Sequence, residues 1–384
     1  MFHVEQFVVY CQKNRIISKY REKDMKDIRM YHKHNQTGNK EEAEEIEELK
    51  EAEEIEKVKV TQEVKEVKET EINNKKEIII CCGIQVNCND KKHKMLEKAE
   101  KYISQAKEEL NKMGKEMDLL VLPEQFVQLP ETAEYYKEPY GIIDKNTETD
   151  VTNITSRAGL DIDIKRKHKN NFKAWASSIA RKYNTNLVAG SYPCVDKNGK
   201  IYNRSLVIDR NGKIIGKYDK IHLFDAFNVR ESDIFTAGNE LGIFDLDIGK
   251  IGVWICYDLR FPEIARALRA RNADMFVVPA AFYRPHREHF DILVKSAAIM
   301  NVTPIIADNQ CGQLINNSQK GFVGGSVILD AKGTRKSVNY LDEDDDENME
   351  GYILGEIDKE FTRISREANP EYANRRIDLY KEWL

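Results

Sequence analysis

The chain has no apolar run approaching the roughly 18 residues that a membrane-spanning helix needs, so nothing in its 384 residues reads as a span. Its first apolar run, Phe7 to Cys11, follows Glu5 and is too short for the roughly 7–15-residue core of a secretory signal. Lys13, Arg15, Lys19 and Arg21 hint at an organelle transit segment, but Glu22, Asp24 and Asp27 argue against one. Excess positive charge is missing too. Lys and Arg number 60 against 65 Asp and Glu, a formal charge of −5, which is no nucleic-acid footprint. The seven cysteines (11, 81, 82, 88, 194, 256 and 311) are odd in number and match no metal-ligand pattern. Cys81 and Cys82 are adjacent in an apolar strand and Cys88 lacks a CxxC partner, which points to free thiols in a reducing, cytoplasmic compartment. LDEDDDEN at 341–348 has neither the sixth-position Gly nor the spaced terminal Glu of an EF-hand, so it reads as a solvated acidic loop.

Aromatic residues are absent from Lys40 to Lys76, where the chain is almost all Glu, Lys and Val. Ile46, Leu49, Ala52 and Ile55 recur every three residues, a period that drifts around a helix and holds no heptad seam. Residues 1–76 therefore read as a charged, solvated extension, disordered or partly helical. A partner-binding coiled coil is the sharper alternative.

From Glu77 the pattern changes to that of a folded domain, 77–384, with insertions near 142–171 and 341–349. EIIICCGIQV and DLLVL read as buried strands, and Lys94–Met113 as an amphipathic helix with Ala99, Ile103, Ala106 and Leu110 on one face. Phe172–Tyr183 and residues 287–301 read as helices, and Asn203–Lys217 as a hairpin turning at Arg210, Asn211 and Gly212. Thr185–Ser191, Met275–Pro279, Pro304–Ala307 and Ser326–Leu329 supply further strands. Strands alternate with helices, which implies a mixed sheet layered with helices. About 310 residues are many for one core, and a sandwich of two sheets handles that size.

GKIGVWICYDLRFPEIARAL, Gly249 to Leu268, carries the first chemical signal. Lys250–Ile255 reads as a buried strand and Arg260–Arg271 as a helix, with Pro262 near the first turn, where a missing N–H costs nothing. Cys256 thus sits where strand becomes helix. It is either a buried structural thiol or a nucleophile lifted into a cleft beside helix-start N–H groups. Two other segments end an apolar strand on a reactive side chain: LLVLPEQF on Glu124 and GKYDKIHLFD on Lys220. A cysteine with a pKa of about 8.5 attacks as thiolate and needs a base nearby. Glu124 fits the base, Lys220 a cationic stabiliser, and the Tyr257 N–H a second donor to a developing oxyanion.

LVLPEQF, YDKIHLFD, GKIGVWICYDLRFPE and the closing RRIDLY come in the order and near the spacing of the nitrilase, or carbon–nitrogen hydrolase, superfamily. The sequence resembles its Nit-type amidase branch over Glu77 to Tyr380. The resemblance implies an α-β-β-α sandwich that often dimerises, giving a homodimer or higher homo-oligomer, with no cofactor and no metal. It implies a catalytic triad of Cys256, Glu124 and Lys220, with Glu231 in VRESD as a further glutamate that orients Lys220 or the leaving amine. Arg260, four residues past Cys256, matches a family position that meets a substrate carboxylate, a task suited to a guanidinium. A salt bridge to Asp258 or Glu263 is the other reading of Arg260. His222 suggests a papain-like pair with the cysteine, or a satisfied structural histidine.

Departures from the family pattern lie nearby. A usual ARAxEN becomes KSAAIMN, with Ala297 and Met300 in the changed places. A usual His-Trp is His289 and Phe290, and a usual Gly-His-Ser is Gly324, Gly325 and Ser326. The implied activity is hydrolysis of a small, carboxylate-bearing amide, of the omega-amidase or deaminated-glutathione-amidase kind. An N-carbamoyl hydrolase and a catalytically idle scaffold of the same fold are the alternatives.

Overall fold

The computed structural model describes residues 76–383, apart from 89–91, 128–171, 197, 227–228, 315–316 and 342–348. The charged N-terminal extension and both expected insertions therefore lie outside the described residues, but for a few positions at their edges.

Two sheets organise the domain. The larger holds β1 (Ile78–Gln85), β2 (Leu119–Val121), β3 (Asn186–Val188), β4 (Tyr192–Val195), β5 (Ile201–Ile208), β6 (Ile214–Asp219), β16 (Val338–Leu341) and β17 (Gly351–Asp358). Their order is β16–β17–β1–β2–β3–β5–β4, with β6 paired to β5. β1 runs parallel to β2, and β2 to β3, while β17 is antiparallel to β1. The second sheet is β15 (Val327–Leu329), β12 (Ile305–Asn309), β11 (Met275–Ala280), β10 (Gly249–Val253) and β9 (Gly242–Leu246), in that order. Two small antiparallel ribbons stand apart from them: β7 (Asp225–Ala226) with β8 (Val229–Arg230), and β13 (Cys311–Leu314) with β14 (Asn317–Val323).

The two-residue period of β1 shows how the layers stack. Ile79 and Cys81 share a core with Ile251, Val253 and Phe276 of the second sheet. Ile80, Cys82 and Ile84, on the other face, pack instead with α1 (Lys92–Lys112) and α2 (Phe172–Tyr183). α1 offers Met95, Ala99, Ile103, Ala106 and Leu110 to that core, all 2% exposed or less. The outer face of the second sheet is covered by α3 (Pro262–Ala270) through Ile264 and Leu268, and by α4 (Arg287–Asn301) through Phe290, Val294 and Ala298. The order is helix, sheet, sheet, helix, as the family resemblance implies.

Two local expectations need correction. The strand before Cys256 ends at Val253, and the next helical turn is 3-10, Cys256–Arg260, before α3 begins at Pro262. β6, which leads to Lys220, is not an apolar strand: Ile214 is 40% and Ile215 36% exposed. It is an edge strand held by β5 alone, so one of its faces stays wet. The expected hairpin turn is present, with Asp209 Oδ1 accepting from the N–H groups of Asn211 and Lys213 and Gly212 at φ 75°.

Candidate active site

Four chain segments deliver polar side chains to one buried point between the sheets. Glu124 follows β2 and is 4% exposed. Its N–H donates to Ala280 O, and its own carbonyl accepts from Gln310 Nε2 at 2.6 Å. Gln125, next in sequence, takes φ 49° and donates its N–H to Ser191 Oγ. The backbone that presents Glu124 is thus pinned to three neighbours. Lys220 lies just past β6, 2% exposed, with its N–H bonded to Asn203 O and its carbonyl accepting from Gly238 N. Glu231 opens a short 3-10 turn, Glu231–Asp233.

Lys220 Nζ donates to Glu124 Oε1 at 2.8 Å and to Glu231 Oε2 at 2.9 Å. Asn203 Nδ2 donates to Glu124 Oε1 at 2.9 Å and to Glu231 Oε1 at 3.0 Å. Glu231 Oε2 also accepts from Phe224 N at 2.7 Å. Both Glu231 oxygens are therefore engaged, and Glu231 serves as a fixed counter-charge. Glu124 differs. The Lys220 and Asn203 donors both fall on Oε1, so Oε2 is the oxygen left to serve the Cys256 thiol, whose proximity tempers the Glu124 pKa. An ammonium carries three N–H groups; two of those on Lys220 are committed to carboxylates, and one remains for a substrate oxygen.

Cys256 sits at φ 45°, in the left-handed region that a side chain disfavours. Such strain at a strand-to-helix turn persists only where the surroundings over-determine it. Asp258 supplies that constraint at 1% exposure. Its Oδ2 accepts from Tyr218 Oη at 2.7 Å and from Ile255 N at 3.0 Å. Its Oδ1 accepts from His222 N at 2.9 Å and lies 2.8 Å from His222 Nδ1. Cys256 and Tyr257 open the 3-10 turn, so their N–H groups have no carbonyl within it.

Burial pushes the Cys256 thiol well above its usual range, and the Glu124 carboxylate pushes it the same way. Lys220 and an N–H from Ala281 pull the other way without winning. Glu124 is itself raised, first by burial and then by Glu231, against the pull of Lys220. For Lys220, burial opposes the charge, but Glu124 and Glu231 outweigh it and hold the amine protonated. One ammonium between two carboxylates already leaves a net negative charge, and a thiolate would add a second. The resting sulfur therefore keeps its proton until Glu124 takes it.

Cys256, Glu124, Lys220 and Glu231 all line a cavity of about 560 Å³, its open mouth included. Its walls are aromatic: Phe224, Tyr257, Phe282, Tyr283 and Phe322. Arg260 and His286 are its further ionisable groups. Arg260 pairs with neither Asp258 nor Glu263 among the described residues. Its guanidinium lies 5.6 Å above the Phe282 ring, and its Nη2 is 3.3 Å from His289 Nδ1. His286 stacks on His289 at 5.1 Å, and burial with Arg260 nearby lowers its pKa. His222 does not line the cavity; besides Asp258 it stacks on Phe261 at 3.6 Å. Of the departing positions, Met300 is 48% exposed on α4, and neither it nor Ala297 lines the cavity. Gly325, at φ 72°, packs against the Arg287 guanidinium, which a Cβ would meet at 2.9 Å.

Asn203, Asp258, His286 and the Ala281 N–H were not reached from the sequence as parts of the site. The sequence gives little signal for Asn203, which is one of three successive polar residues, with Arg204 and Ser205, in the strand IYNRSLVI. For Asp258 it is an acid in the first turn after the cysteine.

Comparison with known proteins identifies the family and the fold. The family model for carbon–nitrogen hydrolases matches residues 81–366. The deaminated glutathione amidase of Dictyostelium discoideum is 36% identical over 193 residues, 48% of this chain and 64% of that protein. This chain thus spans just under two thirds of that relative's length. The 2-oxoglutaramate amidase of Bacillus subtilis is 35% identical over 208 residues, 54% of this chain and 75% of that protein. Among solved structures, Saccharomyces cerevisiae Nit3, a member of branch 10 of the nitrilase superfamily, superposes with a TM-score of 0.62. That match has 26% identity and covers 78% of this chain and 97% of the other. The chain belongs to the carbon–nitrogen hydrolase family, as a Nit-type member of the nitrilase superfamily, whose enzymes hydrolyse carbon–nitrogen bonds other than peptide bonds.

Proposed function

We propose that this protein is a thiol amidase that releases ammonia from a small amide bearing a carboxylate. The observation that carries the reading is Lys220 Nζ held within 2.9 Å of both Glu124 and Glu231, beside a strained Cys256 on an aromatic cavity. The two relatives above are, by name, amidases of deaminated glutathione and of 2-oxoglutaramate, both carboxylate-bearing amides, of which the second is a primary amide that releases ammonia.

Glu124 Oε2 takes the thiol proton as sulfur bonds to the amide carbon, and the carbonyl π pair moves onto oxygen. The free N–H of Lys220 and the Tyr257 N–H hold that oxyanion. Glu124 returns the proton to nitrogen, the C–N bond breaks and ammonia leaves a thioester on Cys256. Water then attacks, giving a proton to Glu124; the C–S bond breaks, the acid departs, and the proton returns to sulfur. General acid–base help contributes about 10²–10⁴-fold, and each oxyanion donor about 10²–10³-fold. Arg260 supports a carboxylate-bearing substrate, since it is a cation at an aromatic cavity without a carboxylate partner among the described residues. Its guanidinium matches a carboxylate two-pronged.

The test is ammonia release from a panel of ω-amides, N-carbamoyl amines and nitriles, with Cys256→Ala beside the wild type. Release from one carboxylate-bearing amide, lost in the variant, supports the reading. Release only from carbamoyl amines moves the protein to the other hydrolase class. No release from any compound shifts weight to an amide outside the panel or to an idle scaffold.

A further inference from the structure

Among the buried polar groups near the site, Asn203 stands apart because it touches three of its members at once. Its backbone carbonyl accepts from Lys220 N at 3.0 Å, because β5 and β6 pair with Arg204 opposite Asp219 and place the two residues side by side. Its side-chain nitrogen reaches the carboxylates of Glu124 and Glu231, which come from segments 79 residues before it and 28 after it. We propose that Asn203 is a positioning residue of the amidase site: its one amide nitrogen ties the two carboxylates together, turns Glu124 so that Oε2 faces Cys256, and keeps Lys220 seated between them. The proposal rests on the amidase reading of the site.

The orientation of the amide is forced. Turned over, it would set its oxygen against two carboxylate oxygens. As placed, both N–H groups serve the carboxylates, and Asn203 Oδ1 has no hydrogen-bond partner among the described residues. The observation that bears on function is the pair of donor contacts, at 2.9 Å to Glu124 and 3.0 Å to Glu231.

The geometry also divides the labour between the two donors on Glu124. Lys220 supplies charge and Asn203 supplies direction. A lone ammonium could swing between the two oxygens of Glu124, and the base would then offer its free lone pair away from sulfur half the time. With Asn203 on the same oxygen, one orientation is favoured twice over. Because Asn203 bonds the ionised form of both acids, its removal disfavours that form.

The experiment uses Asn203→Leu, of similar volume with no donor, and Asn203→Ser, which can reach one carboxylate at most. In the full-length protein, the alkylation rate of Cys256 by iodoacetamide is followed against pH by peptide mass, alongside the pH profile of kcat/KM. The expected result is an acid limb moved upward by about one unit in Asn203→Leu, with a smaller shift in Asn203→Ser. A fall in kcat/KM of about 10²-fold accompanies it, the loss expected from a misdirected reacting group. A rate that falls with both pH limbs unmoved would mark Asn203 as structural and overturn the proposal, as would unchanged rate and profile, or a failure of both variants to fold. Alkylation needs no amide. If the wild type releases no ammonia while the alkylation limb still shifts, the amidase reading fails and the positioning role stands.

Discussion

Asp258→Ala removes the acceptor that holds the cysteine turn in place. The carboxylate is 1% exposed and takes bonds from Tyr218 Oη (2.7 Å), Ile255 N (3.0 Å) and His222 N (2.9 Å), with His222 Nδ1 also at 2.8 Å. The His222 side chain is 30% exposed and can turn to water. Tyr218 and Ile255 are 1% and 0% exposed and cannot. A buried donor left unpaired costs about 1–3 kcal/mol, so two of them give a loss of about 4 kcal/mol. For a domain of this size that lowers Tm by roughly 6 °C. Activity falls further than stability requires, because Cys256 at φ 45° holds strain of about 1–3 kcal/mol that the turn relaxes once its clamp is gone. Displacing the sulfur by about 1 Å costs on the order of 10²-fold in rate. Urea and thermal unfolding give the first quantity, and the single-turnover rate of thioester formation gives the second. Tyr218→Phe removes one bond and should cost about 1 kcal/mol. A loss below about 1 kcal/mol in Asp258→Ala, with wild-type acylation, would refute the reasoning that this carboxylate constrains the nucleophile.

Four further outcomes rest on the same geometry. His222→Asn should be mild in turnover, since His222 serves Asp258 rather than sulfur; loss of activity like that of Cys256→Ala would restore a cysteine–histidine pair. Lys220→Met should lower kcat/KM by at least about 10³-fold, and it leaves Glu124 and Glu231 facing each other without a cation; activity near wild type would exclude Lys220 as the oxyanion donor. Glu124 acts ionised and its pKa is raised by burial, so kcat/KM should fall as pH drops through a value above the usual carboxylate range; a limb at or below about 4.3 would contradict the assignment. Arg260→Lys and His286→Asn should raise KM for carboxylate-bearing amides by roughly tenfold, about one hydrogen bond to a charged group, and leave neutral amides unaffected; equal loss on both substrates would remove Arg260 as the anchor.

Much of the architecture was legible because it rests on periodicity. The unbroken apolar run IIICCGI reads as a buried strand, and the structure divides it, Ile79 and Cys81 into one core and Ile80 and Cys82 into the other; the three-to-four spacing of Ala99, Ile103, Ala106 and Leu110 marks the buried face of α1. Chain-local chemistry was legible too. Pro262 starts α3 at the first turn, as a residue without an N–H should. Lys220 was found by its motif but not by its strand: β6 is half-exposed, and the burial of Lys220 comes from the elements that close over it.

Residue types and their order along the chain therefore determined by themselves the layered fold, the turn that lifts Cys256 and the identity of the acid, amine and thiol that meet there. Only the tertiary structure decided how they are held. Asn203 bonds Glu124 and Glu231 across 79 and 28 residues of chain, Asp258 takes the Tyr218 hydroxyl across 40, and His286 is brought beside Arg260 where the start of α4 meets the turn after Cys256. Periodicity reports which face of an element is dry. It carries no information about which donor from another element will point at a given oxygen, because hydrogen bonds are set by angle and distance in the folded chain.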